Sequence, residues 1–418
     1  MHSMRRRPRH QTCCRGPGAA FATRRTYLRY VIEHQSCWVC SARMKITGYR
    51  IVPTVLDWGR RIGDVNGVMP GNETPSSVVL VETDSDFTGV AIGHGGPIGR
   101  VFPAVEGEDP RSVTALFDRM LAWTFKAGHA GSVYGAIGTI DLALWDIKAK
   151  AAGEPLWRLL GARDRAVPGY ASGLDAGLDD NQLHALYTSF AQAGFTGAKL
   201  KGGRNVDDDL RRLAVVRDAL GVDHPVLALD ANECWNRKQA VRHVAALEQS
   251  VDLAWVEEPL RRWDAVGLAA VSRQVRAAVA TGENLTGVDQ YLPLISGHAV
   301  DLVQAGAGWG ISHFLRVAAL AAGHDLPVSP VGFFGHLAPA AAAVPNHSLT
   351  EVQGLPLPAG VSADWDVDDG RIILGTAPGN GLSLDESDVR LPVGVEALPP
   401  LGPHVRPADA GLRMTLHG

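Results

Sequence analysis

The chain has 418 residues, 46% hydrophobic and 20% charged, with a formal net charge of −4. That is enough apolar material for a large core and more than one domain. No run approaches the roughly 18 consecutive apolar residues of a membrane span, and the acidic balance argues against a nucleic-acid partner.

The first 43 residues stand apart. They hold nine Arg, no Lys, a single acid (Glu33) and four of the five cysteines: Cys13, Cys14, Cys37 and Cys40. Adjacent cysteines fit a tetrahedral zinc site poorly. No apolar stretch followed by a cleavage site marks a targeting peptide. Residues 1–43 therefore read as a basic, disordered extension or a start assigned too early. Cys234 is then the only cysteine of the folded body, and a reducing, cytoplasmic setting is expected.

Met44-Lys-Ile-Thr-Gly-Tyr-Arg-Ile-Val opens the first predicted strand. Pro75–Asp84 and Thr88–His94 read as a hairpin. Residues 110–160 read as helical. Ile137, Ile140, Leu144 and Ile147 form one apolar stripe, which stops near Gly153 and Pro155. Strands followed by helices make residues 44–165 an α+β capping domain. Within it, Trp58–Asn72 is polar and glycine-rich, with Arg60, Arg61 and Asp64. It reads as a loop that closes over a site. An Arg there, such as Arg60, would favour a substrate with a distal carboxylate.

From residue 166 the pattern alternates. Apolar runs recur at 167–171, 198–200, 226–229, 253–256, 278–280, 301–304, 326–330 and 348–352. Helical stretches such as Asp207–Leu220, Arg237–Gln249 and Ile311–Gly323 lie between them. Repeated βα units imply parallel strands joined by crossover helices. Eight strands within 166–355 fit a closed barrel better than an open sheet. Gly306-x-Gly308-x-Gly310 lacks the third glycine of a dinucleotide fingerprint and reads as a tight loop after the sixth strand. Residues 356–418 are rich in Pro and Gly and hold a strand at Arg371-Ile-Ile-Leu; the segment as a whole is expected to return to the capping domain.

Three acids end successive apolar runs at nearly equal spacing: Asp230 in Leu-Ala-Leu-Asp-Ala-Asn, Glu257 in Trp-Val-Glu-Glu-Pro, and Glu283 in Thr-Gly-Glu-Asn. They are hard oxygen donors with no His or Cys beside them, which suits Mg²⁺ better than Zn²⁺. Asn232, Glu258 and Asn284 stand next to them as candidates for steering the ligands or touching substrate. Lys199 and Lys201 are two apart, so in a strand both face the same way. Their mutual repulsion, with a nearby ion, is expected to lower one pKa toward neutrality and yield an amine base. A base facing a hard cation suits removal of the proton α to a carboxylate, the ion stabilising the charge that develops. Reprotonation then gives racemisation or epimerisation; loss of a β-hydroxyl gives dehydration.

Ala136-Ile-Gly-Thr-Ile-Asp-Leu-Ala-Leu-Trp-Asp-Ile-Lys-Ala-Lys, Gly153-Glu-Pro-Leu-Trp-Arg-Leu-Leu-Gly, Lys199-Leu-Lys201, Leu229-Asp-Ala-Asn232, Trp255-Val-Glu-Glu-Pro259 and Thr281-Gly-Glu-Asn284 together resemble the enolase superfamily, more closely its mandelate racemase-like branch. The similarity spans about residues 44–400. It implies an α+β cap over a (β/α)₇β barrel, with Mg²⁺ on Asp230, Glu257 and Glu283. It makes Lys201 the α-proton base, with Lys199 helping to bind the carboxylate and tune Lys201. It also implies a homo-oligomer.

One departure matters. The family's racemases pair an Asp after the sixth strand with a His after the seventh. Here the sixth strand continues Val303-Gln-Ala-Gly-Ala-Gly-Trp, and the seventh runs Pro327-Val-Ser-Pro-Val-Gly. His336, a few residues on, is a candidate replacement acid. Glu351 at the eighth strand is a candidate substrate contact. The expected activity is Mg²⁺-dependent dehydration of an acid sugar to a 2-keto-3-deoxy acid, with neither nucleic acid nor membrane as partner. A racemase, epimerase or cycloisomerase is the alternative, and an inactive barrel kept for binding is a further one.

Overall fold

The structure, a computed structural model, describes residues 44–69, 71–93, 97–332 and 335–393. The basic extension and its four cysteines lie outside the described residues.

Alternating apolar residues build the long strand β1 (Ile46–Asp57), with β2 (Glu73–Thr83) and β3 (Gly89–Gly93) beside it in an antiparallel sheet ordered β1–β2–β3. Helices α1 (Val113–Thr124) and α2 (Gly131–Ala152) follow. Helix α2 is buried on nearly every face from Tyr134 to Ile147. A helix apolar all round must lie between two layers, and this one lies between the small sheet and the barrel. Val90 N donates to Asp146 Oδ2 at 2.9 Å, and Ser312 on a barrel helix bonds Asp141 through N and Oγ at 2.8 and 2.5 Å.

The close approach is carried by Gly138. A Cβ there would lie 2.4 Å from Gly308 O and 2.6 Å from the Trp309 carbonyl carbon. The glycine-rich segment after the sixth barrel strand is thus a packing loop, a short 3₁₀ turn over Ala307–Trp309. Backbone cannot yield as a side chain does. Gly138→Ala is expected to cost about 1–3 kcal/mol by overpacking, read as a lower urea midpoint with an unchanged slope.

The barrel follows. Its strands are β4 (Ala166–Ser172), β5 (Gly197–Lys201), β6 (Val226–Asp230), β7 (Leu253–Glu257), β8 (Ala278–Thr281), β9 (Leu302–Gly306), β10 (Val328–Val331) and β11 (Thr350–Val352). Each pairs in parallel with the next from β4 to β10. Strand β11 pairs back onto β4. The bonds Val328 N to Asn346 O and Ser348 N to Val328 O close the remaining seam.

Seven helices cross between the strands: α3 (Asp180–Gln192), α4 (Val206–Leu220), α5 (Arg237–Leu247), α6 (Ala265–Ser272), α7 (Val288–Ser296), α8 (Ile311–Ala322) and the short α9 (Ala338–Ala341). Helices α3 to α6 start on Asp179, Asn205, Asn236 and Asp264, whose side chains accept from first-turn amides. Such caps contribute about 1 kcal/mol each. The expected (β/α)₇β barrel with an α+β cap is the observed fold class.

Arg371–Leu374 pairs antiparallel with β4 of the barrel, Arg371 opposite Pro168, and does not join the cap sheet. The segment beyond it does reach the cap: Leu382 packs with Val78, Leu80, Val90 and Ile92. Among the described residues, no helix is long and apolar enough to cross a membrane.

Candidate active site

The barrel interior is filled in layers, as period-two alternation requires. Tyr170, Ala228, Trp255, Ala280 and Leu302 form an apolar floor, where Tyr170 meets Trp255 edge to face at 5.0 Å. Above it the same strands turn polar. Register puts Lys201 opposite Asp230, and Asp230 opposite Glu257. Neighbouring strands are about 4.8 Å apart, so these three side chains stand side by side at one level.

The polar layer is tightly paired. Lys201 Nζ lies 2.5 Å from Asp230 Oδ2. Lys199 Nζ lies 2.5 Å from Glu257 Oε1, 3.0 Å from Glu351 Oε1 and 3.5 Å from Asp230 Oδ2. Gln304 Nε2 donates to Glu257 Oε2 at 2.6 Å. Glu283 follows Gly282, whose φ of 129° only glycine tolerates readily. Asn284 Nδ2 donates to Glu283 Oε1 at 3.0 Å and to Glu258 Oε1 at 2.9 Å. Asn232 N donates to Asp230 Oδ1 at 2.9 Å. Asn232 and Glu258 both adopt left-handed backbone, φ 40° and 42°, a strained choice that turns the chain sharply at the strand ends.

The structure therefore brings together Lys199, Lys201, Asp230, Glu257, Glu258, Glu283, Asn284 and Glu351, with Asn232 at the edge. Glu351 is a central member: besides Lys199 it accepts from Gly332 N at 2.7 Å and Gln353 Nε2 at 3.0 Å. Gln304 was not singled out in the sequence. Its signal was the alternation Leu302, Gln304, Gly306 on a strand whose neighbours carry acids at that level.

His336 is not brought in. It lies in a small cavity with Ala91, Leu142, Trp365, Asn380 and Leu382, between cap and tail. Burial pushes its imidazole down to about 4, so it is neutral at physiological pH.

With no ion beside them, both lysines are raised, not lowered. Burial pushes the Lys201 ammonium down, but Asp230, with Glu283 and Glu257, overcomes this and raises it. Lys199 is raised for the same reason by Glu257 and Glu351. The expected lowering rested on the charge of a nearby ion as well as on the lysine pair; the carboxylates around them act in the opposite sense. Burial and the Asp230 charge push Glu257 up to about 8. Asp230 is lowered to about 2, because Lys201 and Lys199 outweigh its burial.

These carboxylates were read as metal ligands. Among the described residues, no three or more His, Cys, Asp or Glu side chains are placed so as to hold a metal ion. The lysine ammonium groups stand where a cation's charge would be felt. The donor set still fits a hard divalent ion. Four buried carboxylates, Asp230, Glu257, Glu258 and Glu351, and the half-buried Glu283 face two ammonium groups, and such an excess of negative charge favours a cation.

The cap supplies a roof. Leu56, Trp58, Ile62 and Met69 cluster with Leu174 and Leu355. A tight hairpin pairs Gly63–Asp64 with Gly67–Val68. It is tied to three barrel loops: Gly63 N to Leu174 O at 2.8 Å, Arg204 Nε to Val65 O at 2.7 Å, and Asn66 Nδ2 to Asn232 O at 3.2 Å. Arg60, expected to face substrate, bonds Gly173 O at the end of β4. Asp64, a residue of the hairpin itself, is buried. Burial raises its carboxyl to about 6, against the pull of the Lys201 charge and with a push from Asp230. It is thus the cap carboxyl in electrostatic reach of the lysine and acid cluster.

Two family models match the chain: "Mandelate racemase / muconate lactonizing enzyme, N-terminal domain" over residues 87–161, and "Enolase C-terminal domain-like" over 182–388. A 3,6-anhydro-alpha-L-galactonate cycloisomerase of Streptomyces coelicolor is 33% identical over 292 residues, 69% of this chain and 80% of that one. The chain belongs to the enolase superfamily, in its mandelate racemase-like branch. An L-talarate/galactarate dehydratase of Salmonella typhimurium is 40% identical over 230 residues, 54% of this chain and 57% of that protein. The chain thus matches little more than half the length of that relative. A crystal structure of L-talarate dehydratase from Polaromonas sp. JS666, complexed with Mg and L-glucarate, superposes with a TM-score of 0.73 at 31% identity, covering 83% of this chain and 98% of that one.

Proposed function

We propose that this chain is a Mg²⁺-dependent acid-sugar dehydratase. The observation that carries the reading is the buried layer in which Lys201, Asp230 and Glu257 share one register beneath a closed cap. The two dehydratase relatives support it, and so does the magnesium in the L-talarate dehydratase crystal.

Asp230, Glu257 and Glu283 are assigned to hold the ion, with Asn284 steering Glu283. Bound there, a divalent ion would supply Lewis-acid stabilisation of charge on a substrate carboxylate and draw those oxygens away from the ammonium groups. Lys201, acting as the neutral amine, takes the proton from C2 and becomes the ammonium. Lys199, fixed between Glu257 and Glu351, presents its charge to the substrate carboxylate. Asp64, descending from the cap, is assigned to protonate the departing C3 hydroxyl, the role expected of His336. The enol that remains tautomerises to the 2-keto-3-deoxy acid. The closed hairpin excludes water from these steps.

Purified protein with Mg²⁺ is to be incubated with mono- and diacid sugars, including galactarate and L-talarate, and 2-keto acid measured as the semicarbazone. Product from at least one of them supports the proposal; silence across the set rejects it. Asp64→Asn keeps the shape but loses the proton, and kcat is expected to fall about 10²-fold with KM little changed, the usual scale of a general acid. A variant as fast as wild type would return the acid role to another group. The cycloisomerase relative favours a second reading, isomerisation after the same first proton loss. Solvent-deuterium incorporation at Cα without 2-keto acid would select it.

A further inference from the structure

Strand β4 stops pairing with β5 at Ser172, opposite Lys199, while β5 runs on to Lys201. The edge of β5 that faces β4 therefore outruns its partner strand by two residues. Buried peptide groups there need other partners, and side chains supply them. The Tyr187 hydroxyl lies 2.7 Å from both Lys199 O and Asp175 Oδ2, and accepts from Gly173 N at 3.2 Å. Lys201 N donates to Asp175 Oδ1 at 3.2 Å. Arg212, on α4, closes the network. Its Nη2 donates to Asp175 Oδ1 and Asp175 O, each at 2.9 Å, and its Nη1 to Leu178 O at 2.9 Å. Asp175, Tyr187 and Arg212 are all buried.

The other side of the same turn is where the cap hairpin docks. Gly63 N donates to Leu174 O at 2.8 Å, Ala176 N donates to Gly63 O at 3.5 Å, and Arg60 bonds Gly173 O. Leu174 sits at φ 47°, a conformation that leucine adopts only when its surroundings impose it. One short segment thus grips the Lys201 backbone directly, and that of Lys199 through Tyr187, on one side and the cap on the other.

We propose that the Gly173–Ala176 turn, held by Asp175, Tyr187 and Arg212, couples docking of the cap hairpin to the placement of Lys199 and Lys201, with Asp175 and Tyr187 as positioning residues. Neither need touch substrate. They act through the peptide groups that aim the two amines. The kinetic consequence rests on the dehydratase reading; the mechanical one does not.

The test compares full-length wild type, Tyr187→Phe, Asp175→Asn and Asp175→Ala, each with MgCl₂. Hydrogen–deuterium exchange is read on peptides covering Trp58–Met69, and kcat and KM on whichever acid sugar the wild type turns over. Tyr187→Phe is expected to lower kcat about 10- to 100-fold with KM within about twofold, the scale of a small misplacement. The same variant is expected to speed exchange of the hairpin by at least about threefold while the other barrel loops keep their rates. Asp175→Ala has larger effects on both. Asp175→Asn, which keeps an acceptor for Lys201 N, recovers part of kcat. If Asp175→Ala does not fold, Tyr187→Phe carries the test. Wild-type hairpin exchange and kcat in folded Tyr187→Phe overturns the coupling. So does a uniform rise in exchange throughout the barrel, which marks a merely structural role. If wild type turns over no acid sugar, the dehydratase reading falls, and the exchange data alone decide the turn.

Discussion

Lys201→Ala is expected to lower kcat on the acid-sugar substrate by about 10³- to 10⁴-fold, the upper range for loss of a positioned base. The residue is the last of β5, is buried, and points at the same Asp230 oxygen that Lys199 approaches. Solvent-deuterium exchange at the substrate α-carbon should vanish together with 2-keto acid formation, because both need the same proton removed. Retained exchange with lost product would mean that another group takes the proton, and Lys201 would lose its assignment. The substitution also uncovers Asp230. Breaking a buried pair by removing one partner costs about 3–5 kcal/mol, so the variant's Tm without Mg²⁺ should fall well below that of wild type. A divalent ion on Asp230 should restore most of the difference.

Chelation is the second large effect. EDTA is expected to abolish turnover, and readdition of Mg²⁺ to restore it. Stability should follow. An ion at 100 times its Kd stabilises the native state by about 2.7 kcal/mol, and Tm should rise accordingly. The rise has a structural source in five carboxylates gathered around two ammonium groups, where burial and neighbouring acids hold Glu257 at about 8 and raise Glu283. Asp230→Asn combined with Glu257→Gln should lose both activity and the Mg²⁺-dependent shift. An equal shift in that double variant would place the ion elsewhere and sink the ligand assignment.

Much of this molecule was legible because local patterns carried it. Apolar runs of three to five residues marked each barrel strand to within a few positions, since a strand buried on both faces reads as a continuous apolar stretch. Helical stretches at Asp207–Leu220 and Arg237–Gln249 lie within two residues of α4 and α5. Lys199 and Lys201 were readable as a same-face pair from period two alone. The strand at Arg371 was legible as a strand but not by its partner, because pairing is a long-range choice between edges that look alike in one dimension.

By itself, the sequence determined the elements, the alternation of strand and helix, and the residue types able to do chemistry. Those depend on periodicities of 2 and 3.6 and on side-chain character, both local properties. The tertiary structure alone decided the register that sets Lys201 beside Asp230 and Asp230 beside Glu257. It alone set His336 against the cap and tail, and Asp64 over the cluster. It alone decided the sign of the lysine shifts. A pKa is a sum over every charge within several ångströms and over the water removed, and neither sum can be formed until distant segments are brought together.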